Sequence, residues 1–77
     1  MNYNEKGING IGKRMFDIRT RRGISRQDIE TKFGITYRIL YNVEKGVSMP
    51  SLDVIVKFAN EFDLSLEYLI TGENKNG

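Results

Sequence analysis

The chain has 77 residues, of which 39% are hydrophobic, and its twelve Lys or Arg against ten Asp or Glu give a formal net charge of +2. A chain of this length holds one small domain and is too short to bury two hydrophobic cores. It contains no Cys and no His, which excludes disulfides, thiol chemistry, the usual zinc ligands and a His-centred proton relay, so we predict no catalytic residue, no metal and no cofactor.

The first ten residues contain three Asn and two Gly, a composition that favours a flexible arm over 1–10. A folded domain is predicted over 11–72, followed by a polar tail over 73–77. The first helix of this domain is predicted over 11–22, because apolar residues recur there at the i, i+4, i+7 spacing of one helix face: Ile11, Met15 and Ile18. Gly23 is expected to end this helix.

The second helix is predicted to begin after Ser25 and to end at Gly34. Ser25 supplies a hydroxyl for an unpaired backbone amide, and Asp28 places an acid in the first turn, as in a capping box. Ile29 and Phe33 are four residues apart and therefore share one face. Gly34 is the residue type that most readily adopts a positive φ where a helix must stop.

The third helix is predicted to begin after Thr36, whose hydroxyl caps it, and to bury Leu40 and Val43. Two short capped helices joined by about four residues through a Gly are typical of a helix-turn-helix motif. Away from its apolar pair, the third helix presents side chains with many hydrogen-bonding groups: Tyr37, Arg38, Tyr41 and Asn42. Such a face suits the major groove of DNA.

Two more helices are predicted after a turn over 45–50, which contains Gly46 and Pro50. The fourth is capped by Ser51 and should bury one apolar stripe: Leu52, Ile55, Val56, Ala59 and Phe62, with Phe58 at its margin. The fifth is capped by Ser65 and should bury three apolar residues: Leu66, Leu69 and Ile70. Because no stretch shows the alternation of a β-strand, we predict an all-α fold of five helices.

These segments, in this order and spacing, resemble the Cro/CI-type (Xre-type) helix-turn-helix family with the lambda-repressor-like DNA-binding fold, over about residues 11–72. Beyond the central stretch, the matching segments are Ile11-Gly12-x-Arg14-Met15-x-x-Ile18-Arg19, Gly23-Ile24-Ser25, Glu44-x-Gly46, Pro50-Ser51-Leu52-Asp53 and Leu64-Ser65-Leu66-x-Tyr68-Leu69. The resemblance implies a compact five-helix DNA-binding domain with a central helix-turn-helix. In related folds an arm sometimes contacts DNA, but the single Lys and single Glu of 1–10 favour disorder here.

In this family the third helix lies in the major groove, and the resemblance implies three base-contacting residues: Tyr37, Arg38 and Asn42. Arg38 has the fork geometry to bind guanine O6 and N7, and Asn42 matches adenine N6 and N7. The alternative for Arg38 is a phosphate contact or a solvated charge. Ile39 could lie against a thymine methyl group. An aromatic ring at Tyr41 can instead cover the core, so Tyr41 is not assigned as a base reader.

Two further positions match backbone contacts of the family. They imply phosphate contacts from Arg26, at the first position of the second helix, and from Lys45, just after the third. The resemblance also implies a structural ion pair between Arg19 and Glu44, which would hold the first helix against the end of the third. The alternative is that these are two unrelated surface charges.

Glu30 departs from the family, which prefers a small residue where the two helices of the motif cross. Its carboxylate must lean outward or bind a donor, and Arg26 lies four residues earlier on the same helix. If Glu30 instead faces the DNA, it will repel phosphate and weaken binding.

Charge is unevenly distributed along the chain. Residues 1–47 carry ten Lys or Arg against five acids, whereas residues 48–77 carry two against five. This difference in net charge between the two parts of the chain suits a protein that places one face on DNA phosphates. Accidental clustering on an ordinary solvated surface explains the charge pattern equally well.

Together these features predict a sequence-specific transcriptional regulator that binds double-stranded DNA and is not an enzyme. We expect a homodimeric repressor on a pseudo-palindromic operator, with the dimer contact on the last two helices: Phe58, Leu66, Tyr68 and Ile70. Tyr68 and Ile70 could equally belong to the core of the monomer. The alternative function is an antitoxin-like module that binds a toxin or other protein and also autoregulates its operon.

Because no apolar run approaches a membrane span or a signal-peptide core, we expect a cytoplasmic protein with no membrane partner.

Overall fold

The computed structural model describes residues 8–73. Within that range, a short 3-10 helix over Ile8–Gly10 leads into five α-helices: α1 (Ile11–Arg21), α2 (Arg26–Phe33), α3 (Tyr37–Glu44), α4 (Leu52–Glu61) and α5 (Leu66–Thr71). The described range contains no strand, which confirms the predicted all-α fold of five helices. None of its helices is long and apolar enough to cross a lipid bilayer.

Four of the α-helices begin at a side-chain cap that the sequence predicted. The hydroxyl oxygens of Ser25, Thr36, Ser51 and Ser65 each accept a hydrogen bond from the backbone N–H three residues later, at 3.1, 3.3, 3.2 and 3.0 Å. Each bond satisfies an amide that has no partner within its helix, a contribution of about 1 kcal/mol. α1 has no side-chain cap and continues directly from the 3-10 helix at Gly10.

α1 crosses α3 at very short range, and Gly12 permits this approach. A Cβ atom at Gly12 would overlap the backbone carbonyl oxygen of Val43. Gly12 is itself buried, so the second half of α3 lies directly against the first turn of α1. This contact sets how deeply α3 is seated in the domain.

The core draws on all five α-helices and on the turn between α2 and α3. Its buried apolar residues are Ile11, Met15, Ile18, Ile29, Ile35, Leu40, Val43, Val54, Ile55, Phe58, Ala59, Phe62 and Leu69. The rings of Phe58 and Phe62 pack with centroids 4.5 Å apart, and Phe33 meets Phe62 edge-on at 5.6 Å. Burial of this apolar surface is the main force that holds the helices together.

The structure corrects the predicted apolar faces of α4 and α5. Leu52 and Leu66, which were predicted to be buried, are 68% and 43% exposed. Each is the first residue of its helix, and the packed part of the helix begins further along the chain. Phe58, predicted at the margin of the core and in the dimer contact, is fully buried and therefore unavailable to a partner. Val54 enters the core, which the sequence analysis did not predict.

Arg14 ties α1 to the end of α5. Its Nε donates to the carbonyl oxygen of Leu69 and its Nη2 to that of Ile70, both at 2.8 Å. The Ile8–Gly10 turn also packs against α1 and α5, so regular structure begins ahead of the predicted domain boundary at Ile11. The remainder of the predicted arm, and the predicted tail beyond residue 73, lie outside the described residues.

Candidate nucleic-acid interface

α2 and α3 form the predicted helix-turn-helix motif. Residues 34–36 join them, with Gly34 at a left-handed φ of 78° and Thr36 as the cap of α3. Ile35, between these two, is 1% exposed and anchors the turn in the core. Local chemistry therefore fixes the end of α2 and the start of α3.

α3 buries one face and exposes the other. Leu40 and Val43 are 0% and 1% exposed, which confirms the buried pair that the sequence predicted. The solvent side of the helix and its C-terminal end carry five exposed residues: Tyr37, Arg38, Ile39, Tyr41 and Lys45. An exposed helix face of this kind can enter the major groove, which is wide enough to admit an α-helix.

The three predicted base-contacting residues lie on or beside this exposed face. Arg38 is exposed and makes no hydrogen bond or ion pair with any other described residue, so its guanidinium donors are available to a ligand. Tyr37 is 43% exposed. Asn42 is half-buried, and its backbone carbonyl oxygen accepts hydrogen bonds from the N–H groups of Val47 and Ser48 in the turn after α3.

A buried cluster of charges lies where α1, α2 and α3 meet. Arg19 donates from Nε and Nη2 to the two carboxylate oxygens of Glu44, each at 2.8 Å. Arg26 donates from Nε to Oε1 of Glu44, also at 2.8 Å. The Glu44 side chain is 1% exposed, and those of Arg19 and Arg26 are 8% and 17% exposed. The structure thus brings Arg19 and Glu44 together and adds Arg26 as a third member.

The pairing of Arg26 with Glu30, one of the two options that the sequence left for Glu30, does not form. Arg26 turns to Glu44 instead, and the half-buried Glu30 forms no side-chain ion pair with the described part of the chain. The i, i+4 rule considers partners on the same helix, whereas Glu44 arrives from α3 when the chain folds. The sequence did contain a signal for the true partner of Arg26. The contact between Arg19 and Glu44, which the resemblance implied, already placed the Glu44 carboxylate between α1 and α3.

The electrostatic environment of Arg26 keeps it charged. Partial burial lowers the pKa of its guanidinium, but the negative charge of Glu44 and the hydrogen bond to Glu44, with a smaller contribution from the neighbouring Tyr37, outweigh burial and raise that pKa above its usual value. Since Nε is already bound to Glu44, any phosphate contact by Arg26 falls to its terminal nitrogens.

Tyr37 and Tyr41 form an exposed aromatic pair on α3. Their rings are nearly parallel, at 10°, with centroids 6.4 Å apart. The guanidinium carbon of Arg26 lies 5.9 Å from the Tyr37 centroid and 5.1 Å from the Tyr41 centroid, and Nζ of Lys45 lies 5.4 Å from that of Tyr41. The expectation that Tyr41 covers the core is wrong, since Tyr41 is 41% exposed and packs against Tyr37 and these cations.

The exposed charged side chains of α3 and of its C-terminal cap are cations. Arg38 and Lys45 are exposed, whereas the carboxylate of Glu44 is buried and paired with two guanidinium groups. These exposed cations suit the α3 face to a polyanion. Separately, residues 8–73 contain no group of acidic side chains arranged to hold a metal ion.

Comparisons with known proteins agree with this geometry. A sequence profile described as helix-turn-helix matches residues 16–69. An uncharacterized helix-turn-helix-type transcriptional regulator of Rickettsia conorii is 29% identical over 62 residues, which span 80% of this chain and 50% of that protein. The transcriptional regulator ImmR of Bacillus subtilis is 28% identical over 60 residues, or 78% of this chain and 47% of ImmR. The chain thus spans about half the length of these relatives.

A solved structure shares the same fold. The crystal structure of the restriction-modification controller protein C.AhdI from Aeromonas hydrophila superimposes with a TM-score of 0.70 and 28% sequence identity, covering 78% of this chain and 91% of that one. The family profile covers well over half of the chain, including the whole helix-turn-helix motif. The chain therefore belongs to the Cro/CI-type (Xre-type) helix-turn-helix family, whose members are DNA-binding transcriptional regulators.

Proposed function

We propose that the protein is a sequence-specific transcriptional repressor that places α3 in the major groove of double-stranded DNA. The observation that carries this proposal is the exposed face of α3, on which Arg38 has no partner among the described residues. A guanidinium in that state keeps its full set of donors for guanine O6 and N7. A buried and paired Glu44 supports the same reading, because no free carboxylate from α3 then opposes the duplex.

The base contacts are proposed for Tyr37, Arg38 and Asn42. Arg38 reads guanine, Asn42 pairs with adenine N6 and N7, and Tyr37 contacts a base or the adjoining backbone near the start of α3. The half-buried state of Asn42 restricts it to a base that lies directly over the end of the helix. Phosphate contacts are proposed for Lys45 and for the terminal nitrogens of Arg26, and they fix the register of α3 without reading sequence.

A homodimer on a pseudo-palindromic operator follows from the size of the domain. One module of this kind covers too little DNA to hold a specific site tightly. Two copies would read half-sites about 34–36 Å apart, one helical turn of DNA. The contact is proposed on α5, where Leu66 is 43% exposed and Tyr68 and Ile70 are half-buried.

Selection from a random pool of duplexes, followed by binding at several salt concentrations, tests the proposal. Binding through about 6–10 phosphates should weaken by roughly 10³–10⁵-fold between about 50 and 200 mM salt. The selected duplex should also bind far more tightly than a scrambled duplex of the same composition. Equal binding of selected and scrambled DNA would remove the claim of specificity.

A second candidate function is a protein-interaction module of the antitoxin type, which also binds its own operator. The observation in its favour is a set of exposed apolar side chains from the turn after α3 to the first residue of α4: Val47, Met49 and Leu52, which are 72%, 55% and 68% exposed. Exposed apolar clusters often mark protein contacts. Under this alternative a co-purifying protein would bind tightly, and DNA binding would show a far smaller dependence on salt.

A further inference from the structure

We propose that Tyr41, together with Tyr37, forms an aromatic step that recognises C5-methyl groups of pyrimidines in the major groove, with thymine as the principal base. This inference rests on the proposed function, because it requires α3 to lie in the major groove. Tyr41 thereby becomes a specificity-determining residue that the helix-turn-helix motif itself does not assign.

The first support is that the two rings are held in place before any ligand arrives. They lie nearly parallel, with centroids 6.4 Å apart, and the guanidinium of Arg26 packs on both. Arg26 is in turn bound through Nε to the buried carboxylate of Glu44. A contact surface that is already ordered loses less conformational entropy on binding than a mobile one.

The second support is the chemistry of the exposed face. Tyr37, Ile39 and Tyr41 are 43%, 44% and 41% exposed, so three of the side chains that meet the groove are largely apolar. Among the groups that bases present in the major groove, the thymine C5-methyl is the apolar one, and aromatic rings and other apolar side chains contact it. 5-Methylcytosine carries the same methyl group at the same place.

The third support is that different residues of α3 offer different kinds of contact. Arg38 and Asn42 carry the donors and acceptors that match the polar edges of guanine and adenine. The Tyr37 and Tyr41 rings lie nearly parallel, and the guanidinium of Arg26 lies over both. The rings of the tyrosine pair therefore meet DNA mainly through carbon, which favours a methyl group over a hydrogen-bonding atom.

The test uses the full chain and the duplex selected from a random pool. Each thymine of a half-site is replaced in turn by deoxyuridine, which lacks the C5-methyl group and is otherwise the same base. At one or two positions this replacement should weaken binding about fourfold, the effect of one buried methyl-sized group. Tyr41→Ala should bind the thymine duplex less tightly and should no longer distinguish thymine from deoxyuridine at one of those positions.

Two matched variants control the experiment. Tyr41→Phe keeps the ring and should keep the discrimination, whereas Leu52→Ala removes an exposed apolar side chain at the start of α4, outside the proposed DNA contact, and should leave the discrimination intact. Thermal unfolding should be nearly unchanged in Tyr41→Ala because the ring is 41% exposed. Tyr41→Gln provides a second variant with good helix propensity, so that a folding defect in one variant does not decide the result.

The outcomes separate this inference from the proposed function. If the selected duplex binds specifically but no thymine is sensitive to loss of its methyl group, the inference is overturned and the regulator remains. The inference is also overturned if Tyr41→Ala and Tyr41→Gln still distinguish thymine from deoxyuridine fully. The exposed rings would then be a candidate contact for a protein partner. If the random pool yields no preferred sequence, both the proposed function and the inference fail.

Discussion

At the junction of α1, α2 and α3, one buried carboxylate balances two guanidinium groups. Glu44→Gln keeps the shape of the side chain but removes the negative charge that Arg19 and Arg26 share at 2.8 Å. Two largely buried cations are then left without a countercharge, so the free energy of unfolding should fall by about 3 kcal/mol. Urea or thermal denaturation monitored by circular dichroism measures this change.

Glu30→Gln is the matched control for that experiment. Glu30 lies on α2, is half-buried and has no side-chain ion pair with the described residues, so the same chemical change should alter stability by less than about 0.5 kcal/mol. Equal losses in the two variants would show that Glu44 contributes no more than an ordinary carboxylate. A gain in DNA affinity from Glu30→Gln would show that Glu30 faces the duplex.

Arg38 and Lys45 should respond to mutation in different ways. Arg38→Ala should relax the preference at one base position, with a loss of about 1–3 kcal/mol on the selected duplex and little on scrambled DNA. Lys45→Ala should weaken selected and scrambled duplexes alike and reduce the slope of the salt dependence, since it removes a phosphate contact. Binding titrations of both variants against both duplexes show which residue reads a base and which contacts phosphate. If Arg38→Ala weakens every duplex equally, Arg38 is not a base reader.

At the scale of the helices, the seating of α3 depends on a glycine in α1. Gly12→Ala would place a Cβ atom into the carbonyl group of Val43, and the backbone of a packed helix cannot move aside easily. We expect a loss of about 3 kcal/mol in the free energy of unfolding, together with weaker specific DNA binding because α3 must shift outward. Both quantities are measured on the same purified variant.

Gly23→Ala separates crowding from backbone strain. Gly23 has a φ of +69°, but the space around an added Cβ atom is open. This substitution should therefore cost roughly 1 kcal/mol through the left-handed conformation alone. A Gly12→Ala variant that is no less stable than Gly23→Ala would mean that α1 and α3 can separate without penalty.

Features of the helices that depend on neighbouring residues were predictable from sequence. The caps at Ser25 and Thr36 and the stop at Gly34 rest on bonds and dihedral angles within a few residues, and the spacing of Leu40 and Val43 reports one helix face. These determinants are local, so a linear pattern contains them. They were sufficient to predict the helix-turn-helix motif.

Features that depend on contacts between helices were not predictable in the same way. Arg26 binds a carboxylate eighteen residues away, and the choice between Glu30 and Glu44 depends on where α3 comes to rest. Leu52 has the right spacing for the core stripe of α4, yet it is exposed because periodicity does not tell where the covering helices end. Tyr41 was misplaced for a related reason, since one of the cations that flank it, Arg26, comes from α2.

For the molecule as a whole, the uneven charge suggests how the domain is oriented on DNA. The ten Lys or Arg and five acids of residues 1–47 include those of the helix-turn-helix motif, whereas residues 48–77 are net acidic. A duplex at α3 would therefore meet the basic half of the chain, and long-range attraction would favour that approach. α4 and α5, in the acidic half, would then be left free for a second copy.

A dimer through α5 makes a prediction about assembly that does not depend on the operator. Leu66 is the first residue of α5 and 43% exposed, whereas the other leucine of that helix, Leu69, is fully buried. Leu66→Glu should therefore place a charge in the contact between copies without disturbing the core. Sedimentation should show a dimer for the natural chain and a monomer for this variant, with similar unfolding temperatures.

Asn60→Glu adds the same charge at an exposed position of α4 and should leave the dimer intact. Because a monomer engages one half-site at a time, Leu66→Glu should also lose most of its affinity for a two-site operator while keeping that for an isolated half-site. If Leu66→Glu still sediments as a dimer, α5 is not the contact. The exposed segment that contains Val47 and Met49 then becomes the surface to test by the same charge substitution.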